Sequence, residues 1–123
     1  MILREKLRAL ATLAAVKKDA DLGRLAAVSA RLVVATRARD DMVAALARET
    51  AFATATPEVP VWQALDAHVI LAERARGALE AQIGRIAAER EAMRGVCALS
   101  FGRAEVLGRL QERAARQARS ARA

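Results

Sequence analysis

The sequence predicts an all-α fold in which two long helices form an antiparallel coiled-coil hairpin, a single domain over residues 1–123. Three observations predict it. Ala, Leu, Arg and Glu dominate the composition, and their side chains lose little freedom on a helix surface. Aromatic residues make up only 2%, which leaves little from which to build a sheet. The only two prolines, Pro57 and Pro60, stand together near mid-chain, with helix-forming sequence on either side.

The first helix is expected over residues 2–51. Proline removes an amide donor and turns its predecessor away from helix, so a loop is expected over 52–60. A second helix follows over 61–120, overlapping a basic C-terminal end at 113–123 that carries Arg113, Arg116, Arg119 and Arg122 without an acid. Helices of this length would extend roughly 75 to 90 Å each, ordinary for coiled coils and unusual for globular bundles.

The second helix carries the clearer repeat. Trp62, Leu65, Val69, Ala72, Arg76, Leu79, Ile83, Ile86, Arg90, Met93, Cys97, Ser100, Ala104 and Leu107 follow alternating steps of three and four, the spacing of an a/d seam. The first helix reads as two registers, one through Leu3, Leu7, Leu10 and Ala14. The other runs through Leu22, Leu25, Ser29, Leu32, Thr36, Arg39, Val43 and Leu46. The skip between them is expected to relax the supercoil locally.

Folding the chain at the prolines requires paired residue numbers to sum to about 113. Leu3 is then expected against Leu110, Leu7 against Leu107, and Leu46 between Leu65 and Val69. The same register sets Arg90 beside Asp19 and Asp21, and Arg76 beside Asp40 and Asp41. These charge pairs are what partly buried arginines require.

The formal net charge is +7, carried mostly by arginine, which suggests an acidic partner. No uncharged stretch approaches the roughly 20 residues that span a bilayer. The short run Ala9–Val16 ends in Lys17-Lys18-Asp19 without a cleavage site, so no signal peptide is read here. Cys97 is alone and supports no intramolecular disulfide. A cytoplasmic location is expected.

The chain reads as a non-enzyme without catalytic residues, metal ligands or cofactor. The one histidine, His68, has no second ligand at metal-binding spacing, and no Glu-x-x-His pair or glycine-rich phosphate loop is present. His68 reads as a surface residue and Cys97 as a small core residue. The arginine-rich end could neutralise phosphates, yet no nucleic-acid motif or aromatic stacking platform accompanies it. The apolar stripe is too narrow for a membrane-surface helix.

Two regions carry more apolar surface than a two-helix seam consumes. At the expected hairpin tip, Phe52, Trp62 and Leu65 either cap the coiled coil as a mini-core or meet a partner. The segment Val96–Phe101 either widens the seam against Leu7, Leu10 and Leu13 or offers a face to another chain. Outward glycines on the second helix, Gly77, Gly84, Gly95 and Gly102, admit a close neighbour or are tolerated surface positions.

Several features together resemble the FliJ-like family of flagellar and type III export stalk proteins. They are the opening Leu3, Leu7, Leu10 and Leu13 run, the proline-marked break before mid-chain, and the closing Val106-Leu-Gly-Arg-Leu-Gln-Glu-Arg113 followed by basic residues. The chain is somewhat short for that family and poor in glutamine and lysine. The resemblance implies a central stalk, or escort, of a hexameric export ATPase, linking it to the export gate and meeting substrate chaperones at the inner-membrane export apparatus. By position and charge, Arg4, Lys6, Arg8, Arg109, Arg113, Arg116 and Arg119 would form the ATPase end, and Phe52, Trp62 and Leu65 the tip facing the gate. The alternative is a generic coiled-coil adaptor, or a dimeric basic protein on nucleic acid. A stalk is expected to be monomeric; the adaptor is expected to self-associate through the Val96–Phe101 face.

Overall fold

The computed structural model describes residues 2–56 and 58–122. They form α1, Ile2–Ala55, and α2, Val59–Arg122, and the two helices pack against each other as a hairpin. No strand is present among the described residues.

Both helices run closer to the turn than the sequence suggested. Phe52 to Ala55 stay helical, and the Thr56 amide still donates to the Phe52 carbonyl at 3.0 Å. The hydroxyls of Thr50 and Thr54 donate to the carbonyls of Leu46 and Thr50, four residues back. Nothing before Thr56 opposes helix; Thr56 alone precedes a proline and is biased away from it. Pro57 lies outside the described residues. On the far side, the Glu58 carbonyl accepts the Trp62 amide at 3.1 Å, which makes Glu58 the cap residue. Pro60 sits in the first turn of α2, where a missing amide hydrogen leaves no bond unmade. At the other end α2 continues as helix to Arg122, through the basic segment; Ala123 lies outside the described residues.

The chain divides into two compact units. A terminal unit joins Met1–Ala27 with Arg90–Ala123, and a loop unit holds Val28–Glu89. In the loop unit the buried residues are Val28, Ala35, Ala53, Leu65, Ala72 and Ile86, with Leu32, Met42, Leu46, Leu79 and Ile83 half-buried. In the terminal unit Asp21, Cys97 and Ser100 are buried, among half-buried Leu7, Ala11, Ala14, Lys18, Leu25, Met93 and Leu107.

On α2 the covered positions follow the expected seam, except that Trp62 and Arg76 are exposed, and extend it through Gln111, Ala114 and Ala118. On α1 the expected skip is absent. Covered side chains step by four and three from Leu7 through Ala11, Ala14, Lys18, Asp21, Leu25, Val28, Leu32, Ala35, Arg39 and Met42 to Leu46. The sequence concealed this because three seam positions are charged and three are alanine. Leu22 and Val43, read as seam residues, are 37% and 45% exposed.

The expected pairing register is also corrected. Cross-helix partners add to 117 for Glu49 with His68, 119 for Arg39 with Glu80, 120 for Arg31 with Glu89, and 121 for Asp21 with Ser100. The shift starts at the turn, because Val59 and Pro60 belong to α2. Leu65 is the first buried residue of α2, sharing a recess with buried Ala53. Accordingly Leu7 borders Gln111 and Ala114, Leu107 borders Leu10 and Ala14, and Leu3 is exposed.

Candidate partner-binding surfaces

Charge separates between the units. The terminal unit carries fourteen Lys and Arg against six Asp and Glu, whereas the loop unit carries seven against eight. The whole basic excess therefore belongs to the terminal unit, and its field favours anions there.

Of the seven cations assigned to the ATPase end, Arg4 and Arg8 border a recess shared by both helices, around Leu7, Gln111 and Glu112. Arg109, Arg113 and Arg116 border a second one on α2, with Val106 and Leu110. Arg109 pairs with Glu105 one turn back. Lys6 and Arg119 are exposed and border neither recess.

The turn end brings Phe52 and Leu65 together with Ala53, Val61, Ala64 and His68, but Trp62 does not border that recess. Phe52 is 62% exposed and Trp62 42%. The two rings therefore do not seal the tip as a mini-core, and an exposed aromatic surface remains. At the same recess His68 Nε2 lies 2.9 Å from Glu49 Oε2.

The seam charges pair differently from expectation. Asp21 is fully buried and receives the hydroxyl of Ser100 from α2. Lys17 Nζ at 3.1 Å and Arg24 at 3.0 Å complete its surroundings from α1. The Ser100 hydrogen bond, then that from Lys17, hold its carboxyl below the usual carboxylate range, against the opposing effect of burial. Arg90 is only half-buried and makes no ion pair with Asp19 or Asp21; its Nε is buried without a hydrogen-bond partner among the described residues. Arg76 pairs with Glu73 at 3.0 Å, not with Asp40 or Asp41. Asp40 meets Arg39 at 3.2 Å, and Arg39 also reaches Glu80. The register shift moves Arg90 away from Asp19 and Asp21, whereas Arg76 is exposed and pairs along its own helix instead. Lys17 and Arg24, four before and three after Asp21, were legible as helix-face pairs; Ser100 was not.

The segment Val96–Phe101 places Cys97 and Ser100 in the seam as expected, but it does not widen that seam. Leu99 is 61% exposed, and Lys18 Nζ stands 5.3 Å from the centre of the Phe101 ring, a cation–π arrangement. Leu10 and Leu13, expected to cover this segment, instead border an apolar groove with Lys17, Gly102, Arg103 and Val106.

Among the described residues no three His, Cys, Asp or Glu side chains converge at metal-binding distance, and no helix is long and apolar enough to cross a membrane. Comparison of the chain with protein-family models, with curated proteins and with solved structures finds no match.

Proposed function

We propose that this chain is a non-enzymatic coiled-coil component of a flagellar or type III protein export apparatus, the stalk or escort of its hexameric ATPase. The observation that carries the reading is the antiparallel hairpin whose whole basic excess lies in the unit containing both chain ends. A basic hairpin end suits a ring pore lined by acidic loops, because complementary charge speeds encounter and sets orientation. Arg4, Lys6, Arg8, Arg109, Arg113, Arg116 and Arg119 are the contacts with the ATPase; Phe52 and Trp62 face the export gate. The protein works in the cytoplasm, at the inner-membrane export apparatus.

The test is recovery of partners by the tagged chain from lysate of its source at moderate salt. The same experiment is repeated with Arg109, Arg113, Arg116 and Arg119 changed to Ala. A hexameric ATPase retained by the native chain and lost from the variant supports the proposal. Recovery of nucleic acid, or of the chain alone, overturns it in favour of a basic adaptor.

A further inference from the structure

The seam leaves one apolar groove open in the terminal unit. Leu10 and Leu13 of α1 face Gly102, Arg103 and Val106 of α2 across it, with Lys17 at its edge. Leu10 is 50% exposed, Leu13 66% and Val106 54%. Val106 also borders the recess that continues along α2 past Leu110 to Arg113, so the apolar strip spans more than two helical turns. Gly102 has open space where a side chain would begin, which lets another backbone approach closely.

Two antiparallel helices with an apolar furrow between them present the position that a third helix fills in a bundle. The charges around the furrow select its chemistry. Arg103 lies in it, and Arg113 and Arg116 border its continuation. None of the three has an acidic partner at ion-pair distance among the described residues. A second copy docked by two-fold symmetry would set this same cationic face against itself, in a unit with fourteen cations and six acids.

We infer that the Leu10–Leu13–Gly102–Val106 groove receives an amphipathic helix from a partner protein, its apolar stripe in the furrow and its acidic flank against Arg103 and Arg113. The inference is independent of the export reading and names a partner's chemistry, not its identity.

A synthetic amphipathic peptide of roughly 20 residues, with a leucine stripe and glutamate flanks, serves as the probe. Its charge-reversed twin carries lysine in place of glutamate. Binding of the fluorescently labelled peptides to the full chain is read by anisotropy at low and moderate salt. The acidic peptide should bind the native chain, lose affinity with salt, and lose about tenfold or more in Leu13→Glu and Val106→Glu. Arg103→Glu should shift preference toward the lysine twin, and Leu71→Glu, on the loop unit, should change nothing. Circular dichroism verifies that each variant is folded; the substituted side chains are solvent-exposed, so the helices should persist. Equal binding of the twins, or no binding of either, overturns the inference. So does a native dimer that Leu13→Glu dissociates, which would assign the groove to a second copy. Displacement of the bound peptide by anionic lipid vesicles would assign it to a membrane surface and equally overturn it.

Discussion

Ser100 of α2 donates its hydroxyl hydrogen to the Asp21 carboxylate of α1, and both residues are buried in the seam. A carboxylate in that position needs a partner from the opposite helix at one level only, so the pair ties the two helices to one stagger within the terminal unit. Lys17 and Arg24 neutralise the charge from the same helix without fixing that level.

The pair makes stability sensitive to acid. The folded-state carboxyl of Asp21 titrates below its ordinary range, first because of Ser100 and then because of Lys17. A group held lower in the folded state contributes stability above its unfolded pKa, and that contribution disappears as pH falls through the folded value. Thermal melting of the native chain should therefore be insensitive to Asp21 near neutrality and fall as pH drops below the ordinary carboxylate range. In Asp21→Asn that part of the acid decline should be missing. If native and variant chains lose melting temperature in parallel below pH about 4, the carboxylate is not the source.

Removing the donor alone should be worse than neutralising the acceptor. Ser100→Ala leaves the buried carboxylate without its cross-helix bond, and an unsatisfied buried group costs more than the bond itself contributes. The expected result is a melting temperature several degrees lower at neutral pH, with Ser100→Thr recovering part of it. A second readout is the pH profile: the carboxyl of Asp21, followed by NMR, should move up toward its ordinary value in the Ala variant.

Two glycines test whether helix propensity limits stability. Gly84 lies in the loop unit and Gly95 in the terminal unit, both inside α2 and both with open space where a Cβ would stand. Gly84→Ala and Gly95→Ala should each raise stability by up to about 1 kcal/mol, measured by urea unfolding. Because eleven residues separate the sites, roughly 16 Å along the helix, the double variant should gain close to the sum. No gain at either position would mean that the glycine contributes something the alanine removes.

How much was legible depended on what occupies the seam. On α2, Leu65, Val69, Leu79, Ile83 and Ile86 recur at seam spacing, and the periodicity led directly to the covered face. On α1 the same face is built from Ala11, Ala14, Lys18, Asp21 and Ala35, which a search for large apolar residues passes over. The neighbouring leucines at 10 and 22 draw the register one step aside. That displacement also hid the groove, because it places Leu10 in the seam and Leu13 against the Val96–Phe101 segment. The register slipped for another reason: Pro60 was read as part of the loop, although a proline in a first helical turn breaks nothing. Charge was legible as a total, but its confinement to one unit needed the pairing of Met1–Ala27 with Arg90–Ala123.

Arg90 offers the sharpest test of the corrected register. Its expected acids lie elsewhere, and its Nε is buried without a hydrogen bond among the described residues. The Nε–H of this seam guanidinium loses hydration that no protein acceptor restores. Arg90→Leu should therefore stabilise the hairpin, by about 1 kcal/mol, whereas in the register first expected it would strand Asp19 and Asp21 and destabilise. The two registers thus predict opposite signs for a single substitution in one unfolding experiment. Ile86→Ala, one turn away and 4% exposed, calibrates the scale by removing a buried side chain of known cost, about 2 to 5 kcal/mol. A gain at Arg90 beside a loss of that size at Ile86 would show that the seam gains from an apolar residue at this level, in contrast to the level tied by Asp21 and Ser100.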